Sequence, residues 1–234
     1  MKTLNRFLNE LAPIGKLERP DTVVATDSTI HKLVRDGIKK YGKDADLNYI
    51  DVSQVTNMDS LFEDTDFDGD ISKWNVSNVE TMNNMFRGCE KFNPFNQDLS
   101  GWKVDRVTDM SYMFFNCENF NQPLNNWNVS NVTDMKKMFY KCENFNQPLN
   151  NWVVSNVTDM EDMFYKCENF NRPLNNWNVE KVTDMCDMFY GCENFNGDLN
   201  NWTVKITDKL KMSGMFSRCP IEIKPPEWYD ELVS

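Results

Sequence analysis

The stretch Trp127–Asn151, WNVSNVTDMKKMFYKCENFNQPLNN, decides the architecture: it returns almost unchanged at Trp152 and Trp177, and less faithfully at Trp202, Trp102 and Trp74. The steps between these tryptophans are 28, 25, 25, 25 and 25 residues. A fixed period of this size marks a solenoid, in which each repeat is a unit that cannot bury its apolar face alone. Within one repeat Met135, Met138, Phe139 and Cys142 fall at i, i+3, i+4 and i+7, the spacing of one face of a short helix. Thr133 and Asp134 stand before that run as capping residues, and Pro148 follows it, where helix cannot continue. Trp152 and Val154 then alternate around a variable residue, which reads as a very short strand. The fold class expected is therefore an α/β repeat, a solenoid of about seven coils, each a short helix plus a short parallel strand.

Working outward, residues 1–50 form an N-terminal arm and helical cap, 51–219 the repeats, and 220–234 a C-terminal cap. In the cap, STIHKLVRDGIKKYG from Ser28 places Ile30, Leu33, Val34 and Ile38 at helical spacing and ends at Gly42. Its His31, the chain's one histidine, lies on the polar side of that helix and reads as solvated. Leu4, Phe7, Leu8 and Leu11 suggest a shorter amphipathic helix, read as packing on the array rather than as a membrane anchor. Two repeats are irregular: the one from Trp74 carries three extra residues around Asn93-Pro94-Phe95, and the last carries two extra within KITDKLKM. Beyond Cys219 the period stops, and Trp228 and Tyr229 are expected to cover the last coil.

Composition bounds the function. A net charge of −11 argues against nucleic acid or an anionic membrane as partner, since both attract basic surface. No run approaches the ~20 apolar residues of a membrane span, so no membrane insertion is expected. The first twenty residues carry no apolar stretch suited to secretion, which favours a cytoplasmic location. Cys89, Cys117, Cys142, Cys167, Cys192 and Cys219 occupy one register and read as reduced, buried fillers, with Cys186 off register and solvent-facing. With one histidine and no CxxC pair, zinc binding by these cysteines is not expected.

The string VTDMxxMFxxCxxFNxPLNNWNVSN, entered through a helix and DLNYIDVSQVTNM, resembles the BspA-like surface-protein repeats. These are distant relatives of the leucine-rich repeats, also catalogued as a domain of unknown function in mycoplasma lipoproteins. The resemblance covers about residues 28–219. It implies a right-handed, leucine-rich-repeat-like solenoid and a role in adhesion or host interaction, hence a cell-surface location. The chain departs from the surface-protein pattern in showing no signal peptide, lipoprotein cysteine or wall anchor.

Candidate sites are few. No nucleophile–base pair, phosphate loop or cofactor motif emerges, and acids such as Asp109, Asp134, Asp159 and Asp184 recur in one register as capping residues. The chain is therefore expected to be no enzyme and to need no cofactor. Asp64, Asp66, Asp68 and Asp70, alternating and interrupted by Gly69, resemble a calcium loop, but the position for a closing Glu is Asn75. That register favours an ordinary loop. The paired asparagines from Asn125-Asn126 to Asn200-Asn201 read as turn-stabilising amides. What varies between copies is more informative: Lys136-Lys137 in one repeat becomes Glu161-Asp162 in the next. Beside these pairs Phe115, Tyr140, Tyr165 and Tyr190 follow the core phenylalanine of successive repeats. Either they form an exposed aromatic stripe or they pack between coils. In the first case Tyr140, Tyr165 and Tyr190, with Lys136, Lys137, Glu161 and Asp162, form a protein-binding surface of the composition that interfaces favour. The other readings are self-association through caps or edges and calcium-dependent binding.

Overall fold

The computed structural model describes residues 21–88 and 95–233. The amphipathic run Leu4–Leu11, together with Cys89, Asn93 and Pro94, lies outside these residues. Consecutive repeats are joined by hydrogen bonds between equivalent positions. Isolated parallel bridges link Asn57, Thr81, Asp109, Asp134, Asp159 and Asp184 in one continuous series. On either side of each bridge the backbone reaches both neighbours: Thr133 N–H donates back to Thr108 O (2.8 Å) and Met135 N–H forward to Asp159 O (3.0 Å).

The segment expected to be helical is instead a pair of turns. Lys137, Phe139 and Lys141 N–H donate to Glu161, Met163 and Tyr165 carbonyls in the next repeat, at 2.9, 3.0 and 2.7 Å. The alternate donors, on Met138, Tyr140 and Cys142, close turns within the repeat onto Met135, Lys137 and Phe139. This alternation turns the backbone left-handed at Lys137 and Lys141, with φ of 54° and 55°. The same two positions are left-handed in every repeat from Ser60 and Asp64 to Gly214 and Arg218.

The physical reason is width. An α-helix with side chains is about 10 Å across, whereas equivalent tyrosines of adjacent repeats lie only 4.5 and 4.8 Å apart. A helix cannot repeat at that interval, but a turn with half its N–H groups directed at its neighbour can. The apolar spacing nevertheless identifies the buried face, for Met135, Met138, Phe139 and Cys142 are all fully buried. The expected strand at Trp152–Val154 is also absent, and parallel pairing falls at the aspartate position.

Each tryptophan instead ties its indole to the preceding repeat: Trp127, Trp152 and Trp177 Nε1 donate to Leu99, Leu124 and Leu149 O at 2.9–3.0 Å. The core is thus a set of parallel rows. Phe139, Phe164 and Phe189 stack in one, Phe145, Phe170 and Phe195 in another, and Trp152, Trp177 and Trp202 in a third. A fourth row of cysteines donates S–H to the carbonyl of a core phenylalanine one repeat back, as Cys142 does to Phe114 O at 3.0 Å. The six described cysteines are all free, and Cys186 is half-buried rather than solvent-facing.

The rows are not equally spaced. Ring centroids repeat at 4.5–4.8 Å on the tyrosine side, 5.5–5.6 Å in the inner phenylalanine row, 5.8–6.0 Å in the outer one and 6.3–6.5 Å at the tryptophans. Since the stacked rings in each row are close to parallel, these distances measure the local step. The repeats fan apart toward the tryptophans, so the tyrosine side is the concave one.

Both ends are closed by non-repeat elements. Strand β1 (Val23–Val24) pairs in parallel with β2 (Ile50–Asp51). Asp27 Oδ1 then accepts the N–H groups of Thr56 and Asn57, in the place a preceding repeat would fill. Helix α1 (Ile30–Tyr41) buries Ile30, Val34 and Gly37, and Gly42 ends it at φ 90°. Its Gly37 is a true close approach, because a Cβ there would meet Leu47 Cδ2 at 2.7 Å. At the other end, helix α2 (Glu227–Val233) carries Trp228, whose ring stacks on Trp202 at 6.3 Å and whose Nε1 donates to Leu199 O at 2.9 Å. The cap therefore continues the tryptophan row. No helix among the described residues is long and apolar enough to cross a membrane.

Candidate functional site

The concave side is built from residues that follow each core phenylalanine. Phe115, Tyr140, Tyr165 and Tyr190 form one continuous stack, each pair within 8° of parallel and 4.5–4.8 Å apart. Both readings of the stripe are thus partly met. The ring faces pack between repeats, while the side chains remain half-buried, with their edges to solvent. The stack is closed by guanidinium groups, Arg87 lying 5.4 Å from the Phe115 centroid and Arg218 5.6 Å from that of Tyr190. Burial and the adjacent phenols push Tyr140 and Tyr165 above the ordinary tyrosine range.

The variable pairs are mostly used internally. Lys136 meets Glu161 of the next repeat at 2.6 Å, and Lys137 meets Glu161 at 3.3 Å and Asp162 at 3.4 Å. These side chains are only 13–27% exposed, so Lys136, Lys137, Glu161 and Asp162 form an inter-repeat network beside the tyrosines rather than a set of free charges. Asp162 is pushed up to about 6 by burial, against the pull of Lys137.

Beneath them runs the aspartate row. Asp109, Asp134 and Asp159 each accept the N–H two residues on, at 2.8–2.9 Å, and Asp184 does so at 3.1 Å. They therefore satisfy the turn as capping residues do, although no helix follows. Burial and then neighbouring carboxylates raise Asp134 and Asp159. The end of the row is neutralised by Lys211, 2.6 Å from Asp184. Asp159, Glu161 and Asp184 approach within 4.8 Å of one another, but Lys136 and Lys211 already hold this group.

The calcium candidates are dispersed. Asp68 accepts Gln97 Nε2 at 2.8 Å, and Asp70 accepts the N–H and hydroxyl of Ser72 at 2.9 and 2.7 Å. Asp64 takes a left-handed position, and no three of these four carboxylates lie within 4.8 Å of one another. Of the paired asparagines, Asn150 Oδ1 accepts the N–H of Asn176 in the next repeat at 3.1 Å, and a second asparagine register does the same, Asn121 and Asn146 Oδ1 accepting the N–H of Asn146 and Asn171.

Sequence reading passed over two rows beside the tyrosines. Lys141, Lys166 and Arg218 follow the ring position and make no ion pair among the described residues. Two residues further on, Glu118, Glu143, Glu168 and Glu193 recur, also without an ion pair. Burial and the like charges of Glu118 and Glu168 push Glu143 up, with Lys141 and Lys166 opposing. The signal available was the register itself, with a cation at one fixed position and a Glu at another.

Inter-repeat hydrogen bonds, recurring core rows and end caps define the chain as a repeat protein. It belongs to the family described as Mycoplasma protein of unknown function, DUF285, whose model matches residues 36–139 and again 123–227. No curated protein and no solved structure matches it.

Proposed function

We propose that the chain is a non-enzymatic solenoid scaffold that binds a protein partner on its concave tyrosine side. The observation that supports this most is the division of labour between positions. Core rows repeat the same residue from coil to coil, while the pair beside them changes from Ser111-Tyr112 to Lys136-Lys137, Glu161-Asp162 and Cys186-Asp187. Concave faces of this kind are the binding surfaces that curvature gives repeat arrays. The contacts proposed are the edges of Tyr140, Tyr165 and Tyr190, with Lys141, Lys166 and Arg218 beside them. Lys136, Lys137, Glu161 and Asp162 shape the surface through their mutual pairing. The membership in a family of unknown function is compatible with this reading, and the resemblance to the BspA-like repeats extends it toward adhesion or host interaction.

The test is capture of partners from lysates of the source organism and any host. Wild type is compared with a triple Tyr→Phe variant at 140, 165 and 190, and with K141E/K166E. Phe115 demonstrates that phenylalanine fits the stack, so the first variant removes hydroxyls without opening the array. A partner held by wild type and lost from both variants supports the proposal. Equal retention by all three moves the site off this face.

A further inference from the structure

We infer that Asn196 is a site of spontaneous deamidation, and that the isoaspartate formed there slackens the seat of the C-terminal cap. One asparagine register follows the outer core phenylalanine of successive repeats: Asn96, Asn121, Asn146, Asn171 and Asn196. The first four are held from the next coil, their Oδ1 atoms accepting the N–H of Asn121, Asn146, Asn171 and Asn196 at 2.9–3.2 Å. Asn196 is the last of the row, because the period stops at Cys219 before the register returns. Its side chain is exposed and makes no hydrogen bond among the described residues. It is also the one member followed by glycine, where the others precede Gln97, Gln122, Gln147 and Arg172. Packing retains that glycine, since a Cβ at Gly197 would lie 2.9 Å from two ring carbons of the buried Phe195.

The chemistry needs only these two residues and water. A residue without a Cβ leaves its N–H uncovered and its backbone able to turn the nitrogen toward the preceding carboxamide. The Gly197 N–H donates to no protein group among the described residues. Its nitrogen attacks Asn196 Cγ. The N–Cγ bond forms, the Cγ–Nδ2 bond breaks, and Nδ2 leaves as ammonia carrying the proton that the amide gives up. Water then opens the cyclic imide at either carbonyl, giving aspartate or isoaspartate. Isoaspartate routes the main chain through Cβ and Cγ and so lengthens it by one carbon. Three residues on, Leu199 O accepts both Trp202 N–H at 3.0 Å and the cap's Trp228 Nε1 at 2.9 Å. Residues 196–200 share a groove of about 300 Å³ with residues 224–227 of the cap. The longer chain and its new carboxylate therefore arise where the cap is seated.

The test incubates the full chain at pH 8, folded or unfolded in urea, and follows its proteolytic peptides by mass spectrometry. Deamidation adds one mass unit, and chromatography separates isoaspartate from aspartate. In the folded wild type, Asn196 should react at least about tenfold faster than Asn96, Asn121, Asn146 or Asn171, with isoaspartate among its products. Gln147→Gly creates a second Phe-Asn-Gly step, whose Asn146 is held by the next coil. Unfolded, Asn146 of that variant should keep pace with Asn196. Folded, it should lag by about threefold or more, the factor of a hydrogen bond that must break before attack. Wild type aged in this way should also exchange the amide hydrogens of residues 220–233 faster than an Asn196→Gln variant aged beside it. An Asn196 no faster than the four held asparagines, or an Asn146 as fast as Asn196 in the folded variant, would overturn the site. Equal exchange in the two aged proteins would overturn its effect on the cap.

Discussion

Lys166 offers the most direct trial of the backbone on which everything else is built. It sits at φ 54°, its N–H donates to Tyr190 O at 2.7 Å, and its side chain makes no ion pair, only a 5.8 Å approach to the Tyr165 ring. A left-handed conformation costs an L-residue about 1–2 kcal/mol. Lys166→Gly removes that cost, adds roughly 0.5–1 kcal/mol of chain entropy to the unfolded state, and forfeits a cation–ring contact of about 0.5 kcal/mol. The net change lies between about 0.5 kcal/mol of destabilisation and about 1 kcal/mol of stabilisation. Lys166→Val keeps the left-handed cost and adds a branched Cβ, so it should destabilise by more than about 1 kcal/mol. Gly191, at φ 70°, already occupies the equivalent place one repeat on. On a helix the order reverses, since glycine there costs about 1 kcal/mol and valine less. Urea titration of the three proteins, followed by tryptophan fluorescence with the slope m checked for constancy, decides the matter. A valine variant more stable than the glycine variant would refute the left-handed ladder.

Four further outcomes follow from the same contacts. Asp162, pushed up to about 6 in the folded chain, binds its proton more tightly there than when unfolded. Its contribution is fully present below its ordinary range near 4 and is lost as pH rises through about 6. Asp162→Asn should therefore be more stable than wild type at pH 8, by at most about 3 kcal/mol, with the gap closing by pH 4 in thermal melts. Burial holds the Cys142, Cys167 and Cys192 thiols far above their usual range and pushes Cys219 up to about 11. Iodoacetamide should spare them until the array unfolds, as mass spectrometry of labelled peptides can check. Trp228→Ala removes the last member of the tryptophan row and its hydrogen bond to Leu199 O. It should cost about 2 kcal/mol in urea titration and expose the Trp202 face, which a red shift of fluorescence would report. Deleting residues 152–176 joins Asn151 to Trp177 in register. The product should fold, with m reduced in proportion to the surface lost.

Which residues are buried was legible in the sequence, because burial depends on period, and the period is nearly perfect. Met135, Met138, Phe139 and Cys142 needed no structure to be assigned inward. Their backbone was another matter, since two consecutive turns place the same four residues inward as a helix turn does. One column did carry the difference. The register of Lys141 reads Asp64, Gly88, Asn116, Lys141, Lys166, Gly191 and Arg218. Two glycines, an asparagine and an aspartate in a single column mark positive φ more surely than two lysines mark a helix. The charged network was hidden for a different reason. Lys137 and Asp162 are 25 residues apart, so their pairing appears only once the coils are laid side by side.

Ring size and curvature are linked in the same way. The largest ring, tryptophan, occupies the row where the coils stand 6.3–6.5 Å apart and where its indole can still reach back to a leucine carbonyl. Tyrosine occupies the row where they close to 4.5–4.8 Å, a separation that leaves parallel rings in direct contact. Phenylalanine fills the two rows between. The gradient of spacing is thus matched by the side chains of each coil, and the coil's own hydrogen bonds set the narrow edge. Because tyrosine faces are consumed in holding that edge together, the proposed binding function leaves only their rims and the flanking charges to be read. On that proposal a partner would read rows rather than pockets. Its specificity would then rest on the charges that differ from one coil to the next, as Lys136-Lys137 differs from Glu161-Asp162.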